Sequence, residues 1–221
     1  MSGAASRIRG LYAILDPSVV ARRRSGEEAL DLALADALAG GCRLVQYRDK
    51  TSSPREALAR AKRFALACRR AEATFLVNDR LDIALLCGAD GCHLGQDDLP
   101  VTAARPIVPA GFLLGVSTHG AEEARRAQTD GADYVGCGAV FPTGTKEDAL
   151  APGGVALVEE VAGAISIPVA AIAGINRENA ASVLRAGAAA FAVISDLFAE
   201  DGVRERTKEF LSIWETHTGR R

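Results

Sequence analysis

A glycine that follows a helix and precedes a strand, at four places along the chain, constrains the fold more than any other feature. Such a glycine stands in four places, at Gly40, Gly88, Gly131 and Gly187, each after a predicted helix and before an apolar run. The four recur at intervals of roughly 50 residues, enough for two strand–helix units each. Glycine suits this position because it readily adopts the left-handed conformation that ends a helix.

Eight short apolar runs alternate with helical segments. The strands are predicted at 11–15, 44–48, 74–78, 91–94, 112–117, 134–140, 168–173 and 191–195, and the helices at 27–39, 54–72, 80–87, 102–107, 121–129, 155–164, 177–186 and 202–216. Eight such units favour a closed (β/α)8 TIM barrel over an open doubly wound sheet. We expect the 221 residues to form one domain, 1–221, with short polar tails, the last from Thr216 to Arg221.

Composition and charge narrow the classes of function. A net charge of −2 gives no sign of a polyanion-binding surface, so nucleic acid is not an expected partner. No apolar run reaches the roughly 18 residues of a membrane span, and no signal peptide is recognisable, so we expect a cytoplasmic protein without a membrane partner. The five cysteines contain no CxxC pair and are expected to be buried free thiols. The sequence leaves the oligomeric state open and permits a homo-oligomer.

Polar residues at the strand ends are the candidates for a functional site, because the loops after the strands form the active-site face of such a barrel. Gln46, Arg48 and Lys50 alternate at the end of the second strand. Alternate residues of an extended chain point to the same side. Two cations and an amide would therefore face a polyanionic substrate.

Two aspartates follow neighbouring strands. Asp79 comes directly after Asn78 at the end of the third strand, and Asp98 follows the fourth. Carboxylates beside cations on one rim predict Mg²⁺ shared with a diphosphate, with several water ligands retained. The alternative for Asp79 is the N-cap of the helix that starts near Arg80. His119, after the fifth strand, is more typical of a hydrogen-bonded structural group than of a general base.

A second corner of the rim is predicted to bind a monophosphate. The stretch 134–146, YVGCGAVFPTGTK, begins as a buried strand and breaks into a loop that carries Thr143, Thr145 and Lys146. Hydroxyls, loop amides and an ammonium group can together bind an oxyanion. Within the strand, Gly136 and Gly138 would let another group approach the backbone closely.

The loops after strands seven and eight add to this corner. They carry Gly174 and the pair Ile194-Ser195, where barrels frequently bind phosphate through backbone amides. Taken alone, the PTGTK loop and Gly174 are each explained better as parts of ordinary surface turns, and the barrel is what favours the phosphate site.

The complete set of motifs resembles the thiamine phosphate synthase family. The motifs are QYRDK (46–50), ND (78–79), GCHLGQDD (91–98), LGVSTH (114–119), YVGCGAVFPTGTK (134–146), AGI (173–175) and VIS (193–195). The resemblance implies a transferase of thiamine biosynthesis. It would couple 4-amino-2-methyl-5-hydroxymethylpyrimidine diphosphate with a thiazole phosphate, giving thiamine phosphate and diphosphate.

The resemblance also implies a role for each matching residue. The pyrimidine diphosphate would be bound by Gln46, Arg48, Lys50 and Asn78, with Ser117 contacting the pyrimidine and Lys146 the diphosphate. Mg²⁺ would be held by Asp79 and Asp98. The thiazole phosphate would be bound by Thr143, Thr145, Gly174, Ile194 and Ser195. Of these, Arg48, Lys146 and Ser117 would be the catalytic residues. Two positions depart from the family pattern, because Ala139 stands in place of a usual proline and Ala173 in place of a usual glycine.

Three alternatives remain open from the sequence. A thiazole tautomerase-like isomerase would lack the complete lysine-bearing loop and the paired aspartates. A different phosphate-binding barrel, such as a sugar-phosphate epimerase, would leave the cations Arg48, Lys50 and Lys146 unexplained. A catalytically silent binder of thiamine phosphate would not need groups that handle leaving-group charge.

Overall fold

The chain folds into a closed barrel of eight parallel strands. The computed structural model describes residues 6–22, 26, 28–144 and 151–219. Each strand pairs with its neighbour in sequence, and the eighth pairs with the first. The strands are β1 Gly10–Leu15, β2 Leu44–Tyr47, β3 Thr74–Asn78, β4 Gly91–Leu94, β5 Leu113–Thr118, β6 Tyr134–Cys137, β7 Val169–Ala171 and β8 Ala190–Val193. The predicted (β/α)8 TIM barrel is confirmed.

Helices form the outer layer. In the described residues they are α1 Pro17–Val20, α2 Glu28–Ala39, α3 Pro54–Arg70, α4 Leu81–Cys87, α5 Val101–Ala104 with a 3-10 turn at Arg105–Ile107, α6 Ala121–Thr129, α7 Gly154–Ala164, α8 Ala180–Arg185, α9 Ser195–Phe198 and α10 Val203–Thr218. The sequence did not predict α1 and α9, because a four-residue helix shows no periodic pattern. It also ended the last helix too early, since the predicted polar tail is helical as far as Thr218. No helix of the described segments is long and apolar enough to cross a membrane.

β2 ends one residue before its predicted end, and three other predicted strands are too long by two or three residues at their C-terminal ends. β6 ends at Cys137 and not at residue 140, β7 ends at Ala171 and not at residue 173, and Ser195 begins α9 instead of ending β8. Beyond β6 the chain stays hydrogen-bonded to the next loop, with the Val140 amide 3.0 Å from the Ile172 carbonyl oxygen. The residues after β6 are apolar and partly or fully buried, with Val140 buried and Ala139 half-buried, without forming regular strand, which is why their pattern extended the prediction.

The predicted helix-ending glycines are confirmed, with one shift. Gly88, Gly131 and Gly187 have φ values of 69°, 94° and 99°, in the left-handed region. In the first unit this conformation belongs to Gly41, with φ 105°, and not to Gly40. Gly40 is needed for packing, because a Cβ there would lie 2.7 Å from the backbone oxygen of Arg204 on α10.

Alternation along the strands divides the core into two layers. In β1, Leu11, Ala13 and Leu15 pack outward against the helices, whereas Tyr12 and Ile14 point into the barrel. The interior layer contains Ile8, Tyr12, Ile14, Leu44, Leu76, Leu113, Tyr134, Ala170, Ala190 and Ala192. Its two tyrosines are on β1 and β6, and the two strands between them, β7 and β8, contribute the small residues Ala170, Ala190 and Ala192, as expected for a barrel filled by side chains.

The cysteines are free thiols, as predicted. Cys42, Cys68, Cys92 and Cys137 are buried and Cys87 is partly buried. Burial raises the pKa of the thiol of Cys42 to about 11 and that of Cys137 to about 12. Protonated thiols of this kind behave as small apolar side chains.

Candidate active site

The predicted site residues within the described segments lie at the C-terminal rim of the barrel. They are Gln46 at the end of β2, Arg48 and Lys50 just after it, Asn78 and Asp79 at and after the end of β3, Asp98 after β4, Ser117 near the end of β5, Thr143 after β6, Gly174 after β7, and Ile194 and Ser195 after β8. Thr145 and Lys146 lie outside the described residues. Parallel strands bring all these ends to one face, which is why the motifs meet although they are distant in sequence.

A pocket opens at this rim, and its empty volume of about 380 Å³ includes space that is open to solvent. Five of the predicted residues line it together, namely Gln46, Arg48, Asn78, Ser117 and Ile194. The other lining residues are Tyr12, Ile14, His93, Gly136, Ala170, Ile172 and Ala192. The cavity therefore has apolar walls and a few polar groups, a composition suited to a small planar ring.

The acidic corner brings Asp79 and Asp98 into contact. Asp79 forms an ion pair with Lys50, and Asp98 accepts the Gly95 amide at 2.7 Å. Burial and then the hydrogen bond with Asp79 raise the pKa of the Asp98 carboxyl. Two carboxylates this close repel each other when both are charged, so a cation between them is favourable.

The alternative N-cap role of Asp79 is not observed. Among the described residues, α4 has no side-chain cap, and its N-cap position is Arg80. Asp79 instead adopts φ 60° and donates its backbone N–H to the carbonyl oxygen of His93 at 2.7 Å. Its side chain is thereby turned towards Lys50 and Asp98.

These two carboxylates fit a Mg²⁺ ion that takes most of its ligands from substrate and water. Within residues 6–22, 26, 28–144 and 151–219, no cluster of three or more His, Cys, Asp or Glu side chains could hold a metal. Mg²⁺ is typically bound by one or two carboxylates together with phosphate oxygens and water, and Asp79 and Asp98 supply that number.

Arg48 is oriented by a residue that sequence reasoning did not single out. Its guanidinium pairs with Asp16, which directly follows β1, and the two side chains are only 15% and 4% exposed. Asp16 also caps α1, accepting the Ser18 amide at 2.9 Å. The only signal in the sequence was an Asp-Pro pair after the first strand, which equally suits an ordinary turn.

The loop that carries Lys50 is anchored by Asp49. This carboxylate accepts hydrogen bonds from the Tyr47 hydroxyl at 2.5 Å and the Ser52 amide at 2.9 Å, and it pairs with Arg60 of α3 at 3.2 Å. Burial opposes ionisation, but these hydrogen bonds outweigh it and lower the pKa of Asp49 to about 2. Lys50 is thus held beside the acidic corner by its neighbour.

The barrel interior below the rim contains a file of polar side chains. The hydroxyls of Tyr12 and Tyr134 are 2.9 Å apart, Gln46 Nε2 lies 2.5 Å from Tyr12, and His93 lies 2.9 Å from Tyr134 and 3.0 Å from Ser117 Oγ. His93 lies inside the apolar strand β4, where no local pattern indicates that it contacts a candidate site residue. The other strand-end histidine, His119, pairs with Glu123 at 3.1 Å, in line with the structural role expected for it.

The predicted phosphate corner is built from loops in close contact. Gly174 has φ 64°, and a Cβ there would lie 2.5 Å from the carbonyl oxygen of Pro142. The adjacent Ala173 has φ 81°, a conformation that glycine adopts more easily, which explains why glycine is usual at that position. Gly136 of β6 and Gly138 just after it also lie in close contacts, as predicted, because Gly136 faces the His93 ring and Gly138 faces the Ile172 backbone.

Comparison with known proteins gives consistent results. The model of the family described as thiamine monophosphate synthase matches residues 11–197. A thiamine-phosphate synthase of Methanospirillum hungatei is 43% identical over 92% of this chain and 97% of its own length. A thiamine-phosphate synthase of Chloroflexus aurantiacus is 42% identical over 92% and 91%.

A solved structure extends the agreement to three dimensions. The thiamine phosphate pyrophosphorylase from Pyrococcus furiosus superposes with a TM-score of 0.85 and 35% identity, covering 96% of this chain and 98% of that one. A 3-hexulose-6-phosphate synthase, at 17% identity and a TM-score of 0.67, shares only the fold. On the matched residues, the identities and the superposition, this chain belongs to the thiamine monophosphate synthase family.

Proposed function

We propose that this barrel joins 4-amino-2-methyl-5-hydroxymethylpyrimidine diphosphate to a thiazole phosphate, releasing thiamine phosphate and diphosphate. One observation carries the proposal. Arg48 lines a cavity with largely apolar walls, and Lys50, Asp79 and Asp98 form a charged cluster at the same rim, where Asp79 directly follows the lining residue Asn78. A diphosphate attached to a planar heterocycle needs both environments side by side.

The pyrimidine ring would occupy the cavity and its diphosphate the rim. Gln46, Asn78 and Ser117 line the cavity and offer hydrogen bonds to the ring, while Ile14 and Ile172 offer apolar contact. Arg48 and Lys50 face the charged end. Lys146, outside the described residues, would add a third cation for the diphosphate. With the ring in the cavity and the diphosphate at the rim, the bond between the methylene carbon and the diphosphate would lie at the boundary between the two.

The chemistry begins with cleavage of the C–O bond between that methylene and the diphosphate. The electron pair leaves with the diphosphate oxygen, and the aminopyrimidine delocalises the cation left on carbon. The nitrogen of the thiazole then donates its lone pair to form the new C–N bond. No protein nucleophile is needed, so the residues act by positioning and by stabilising charge.

The leaving diphosphate accumulates negative charge as the bond breaks. Arg48 and Lys146 would stabilise that charge directly, and the chain orients Arg48 for this purpose through Asp16. Mg²⁺ held by Asp79 and Asp98 would neutralise diphosphate oxygens in the same place when bound. Ser117 would hold the pyrimidine ring during the change.

The thiazole phosphate would bind at the opposite corner of the rim. Thr143, Thr145 and Ser195 would donate hydroxyl hydrogen bonds to it, while Gly174 and Ile194 would contribute backbone amides. Tight packing of Gly174 against Pro142 supports a fixed loop conformation there. Two separated phosphate sites are what a reaction between two phosphorylated substrates requires.

The experiment supplies both substrates and Mg²⁺ to the purified protein and follows products by mass spectrometry. We expect thiamine phosphate and diphosphate in equal amounts, and none when either substrate is omitted. A tautomerase would instead isomerise the thiazole phosphate alone. A sugar-phosphate epimerase would act on neither substrate. A silent binder would bind thiamine phosphate without turnover. Any of these results in place of coupling would refute the proposal.

We further propose that the protein is cytoplasmic. Five free cysteines, four of them buried, are typical of a reducing compartment and support a cytoplasmic enzyme. A homo-oligomer stays a prediction, which light scattering on the purified protein can test.

A further inference from the structure

A file of hydrogen-bonded side chains connects two of the proposed substrate contacts through the barrel interior. It runs from Gln46 of β2 to Tyr12 of β1, across to Tyr134 of β6, and through His93 of β4 to Ser117 of β5. Five strands each contribute one member. The two ends line the substrate cavity, whereas the Tyr134 ring fills the barrel centre.

Each tyrosine has a single proton to donate. Both phenols are fully buried, and burial keeps the pKa of Tyr12 and of Tyr134 well above the usual value of 10. They are therefore neutral at physiological pH. A neutral phenol donates one hydrogen bond and accepts others, so the file can have a defined direction.

Gln46 sets that direction at one end. Its Nε2 group, a donor only, lies against the Tyr12 oxygen, so Tyr12 accepts there and can donate its proton to Tyr134. Tyr134 then donates to His93 Nδ1. Because a neutral imidazole has one N–H, its proton lies on Nε2 and is donated to Ser117 Oγ.

The consequence falls on Ser117. With its oxygen accepting from His93, its own proton is free to point into the cavity. The carbonyl oxygen of Gln46 is likewise left as an acceptor. The ends of the file thus present a donor and an acceptor, which complement a ring nitrogen and an exocyclic amino group of an aminopyrimidine.

We propose that His93 is a positioning residue that keeps the Ser117 hydroxyl as a hydrogen-bond donor to the pyrimidine ring, with its tautomer fixed from Gln46 through the two tyrosines. The proposal rests on the proposed function for the identity of the ring. The acceptor is the ring and not the diphosphate, because Ser117 lines the cavity beside His93, whereas Lys50, Asp79 and Asp98 do not line it.

Two glycines reserve the space that the file needs. A Cβ on Gly136 would lie 2.9 Å from the Cε1 atom of His93, and one on Gly115 would lie 2.1 Å from Cζ of Tyr134. Contacts that short force the ring to move. Glycine at these two positions of β5 and β6 therefore leaves room for the rings of His93 and Tyr134.

The direct test is the tautomer of His93, observed by ¹⁵N NMR of histidine-labelled protein at about pH 8, where an ordinary imidazole is neutral. The signal is assigned by its loss in His93→Gln. We expect the proton on Nε2 in the wild type. We also expect a mixture of tautomers in Tyr134→Phe, which preserves the ring but removes the donor to Nδ1. A wild-type proton on Nδ1 would reverse the file and overturn the proposal.

Kinetics supply the second readout. His93→Leu should raise the KM for the pyrimidine diphosphate about tenfold, as expected for one lost hydrogen bond. The KM for the thiazole phosphate should stay unchanged. His93→Gln, whose amide can donate near the position of Nε2, should recover most of the loss. Equal defects in the two variants, with unchanged circular dichroism, would contradict a role for the donated hydrogen bond.

Failure of this inference is distinguishable from failure of the proposed function. A wild-type protein that makes no thiamine phosphate refutes the function, whatever the tautomer. In that case calorimetry with the pyrimidine diphosphate takes the place of KM, and a wild type that does not bind it refutes the inference as well. A wild-type protein that makes thiamine phosphate but carries the His93 proton on Nδ1 would refute only this inference.

Discussion

Replacing Asp16 with asparagine should lower both stability and activity, because it leaves Arg48 without its partner charge. Removing one member of a buried ion pair typically destabilises a protein by about 3–5 kcal/mol. Arg48 is 15% exposed and lines an open cavity, so water can partly solvate it. We therefore expect a smaller loss, of about 2 kcal/mol. For a chain of this size, that corresponds to a fall in Tm of roughly 4–8 °C.

The substitution separates two functions of Asp16. Asparagine keeps an oxygen that can cap α1 by accepting the Ser18 amide, so the helix start is retained and only the charge is lost. The catalytic consequence comes from Arg48, which would no longer be fixed above the cavity. We expect kcat/KM for the pyrimidine diphosphate to fall at least about tenfold, since small displacements of a positioning group are costly.

Urea denaturation and steady-state kinetics measure the two effects, with Asp82→Asn as the matched control. Asp82 pairs with Arg80, but these side chains are 58% and 43% exposed, and exposed pairs contribute less than about 1 kcal/mol. If both variants shift the urea midpoint equally, the buried pair does not stabilise the fold. If Asp16→Asn is destabilised but keeps full kcat/KM, Asp16 does not orient Arg48 for catalysis.

Three further predictions concern the fold around the site. Because the pKa of Asp49 is lowered to about 2, its stabilising contribution is present above the usual carboxyl pKa of about 3.8 and is lost as the pH falls through about 2. Asp49→Asn should therefore lose less stability than the wild type between these pH values in urea titrations, and parallel curves would contradict this. Gly115→Ala places a Cβ 2.1 Å from the Tyr134 ring and should destabilise by about 3 kcal/mol, whereas Gly120→Ala, with no atom within 4 Å, should change thermal unfolding little. The four buried thiols should react with a thiol reagent only on unfolding, while the partly buried Cys87 reacts sooner, and rapid labelling of all five would show that the barrel is not packed as described.

The barrel could be predicted from the sequence because its signals are local. Helix-ending glycines and apolar runs are set by backbone conformation and burial, which act within a few residues. Strand ends were predicted less well, since residues 138–140 are buried against a neighbouring loop without regular pairing. An apolar pattern reports burial and does not distinguish a strand from a packed loop.

Residues of the candidate site could be predicted from the sequence only where they belong to a recognisable motif. Asp79 was ambiguous in sequence between a helix cap and a metal ligand, and its contacts with Lys50 and Asp98 removed the cap interpretation. Asp16 and His93 were missed because their partners, Arg48 and Ser117, are distant along the chain. Such contacts depend on barrel closure, which no local pattern encodes.

We propose above that the paired aspartates at the rim, Asp79 and Asp98, support coupling of the two substrates. The most direct measurement is the rate of thiamine phosphate formation against Mg²⁺ concentration, in the wild type, in an Asp79→Asn, Asp98→Asn double variant, and in Asp97→Asn as the matched control at an exposed neighbouring position. We expect metal-dependent product in the wild type and in the control, and at least about a hundredfold lower rate in the double variant, as for removal of transition-state charge stabilisation. Equal rates in the double variant and the wild type, with the same dependence on Mg²⁺, would contradict a role of the paired aspartates in coupling.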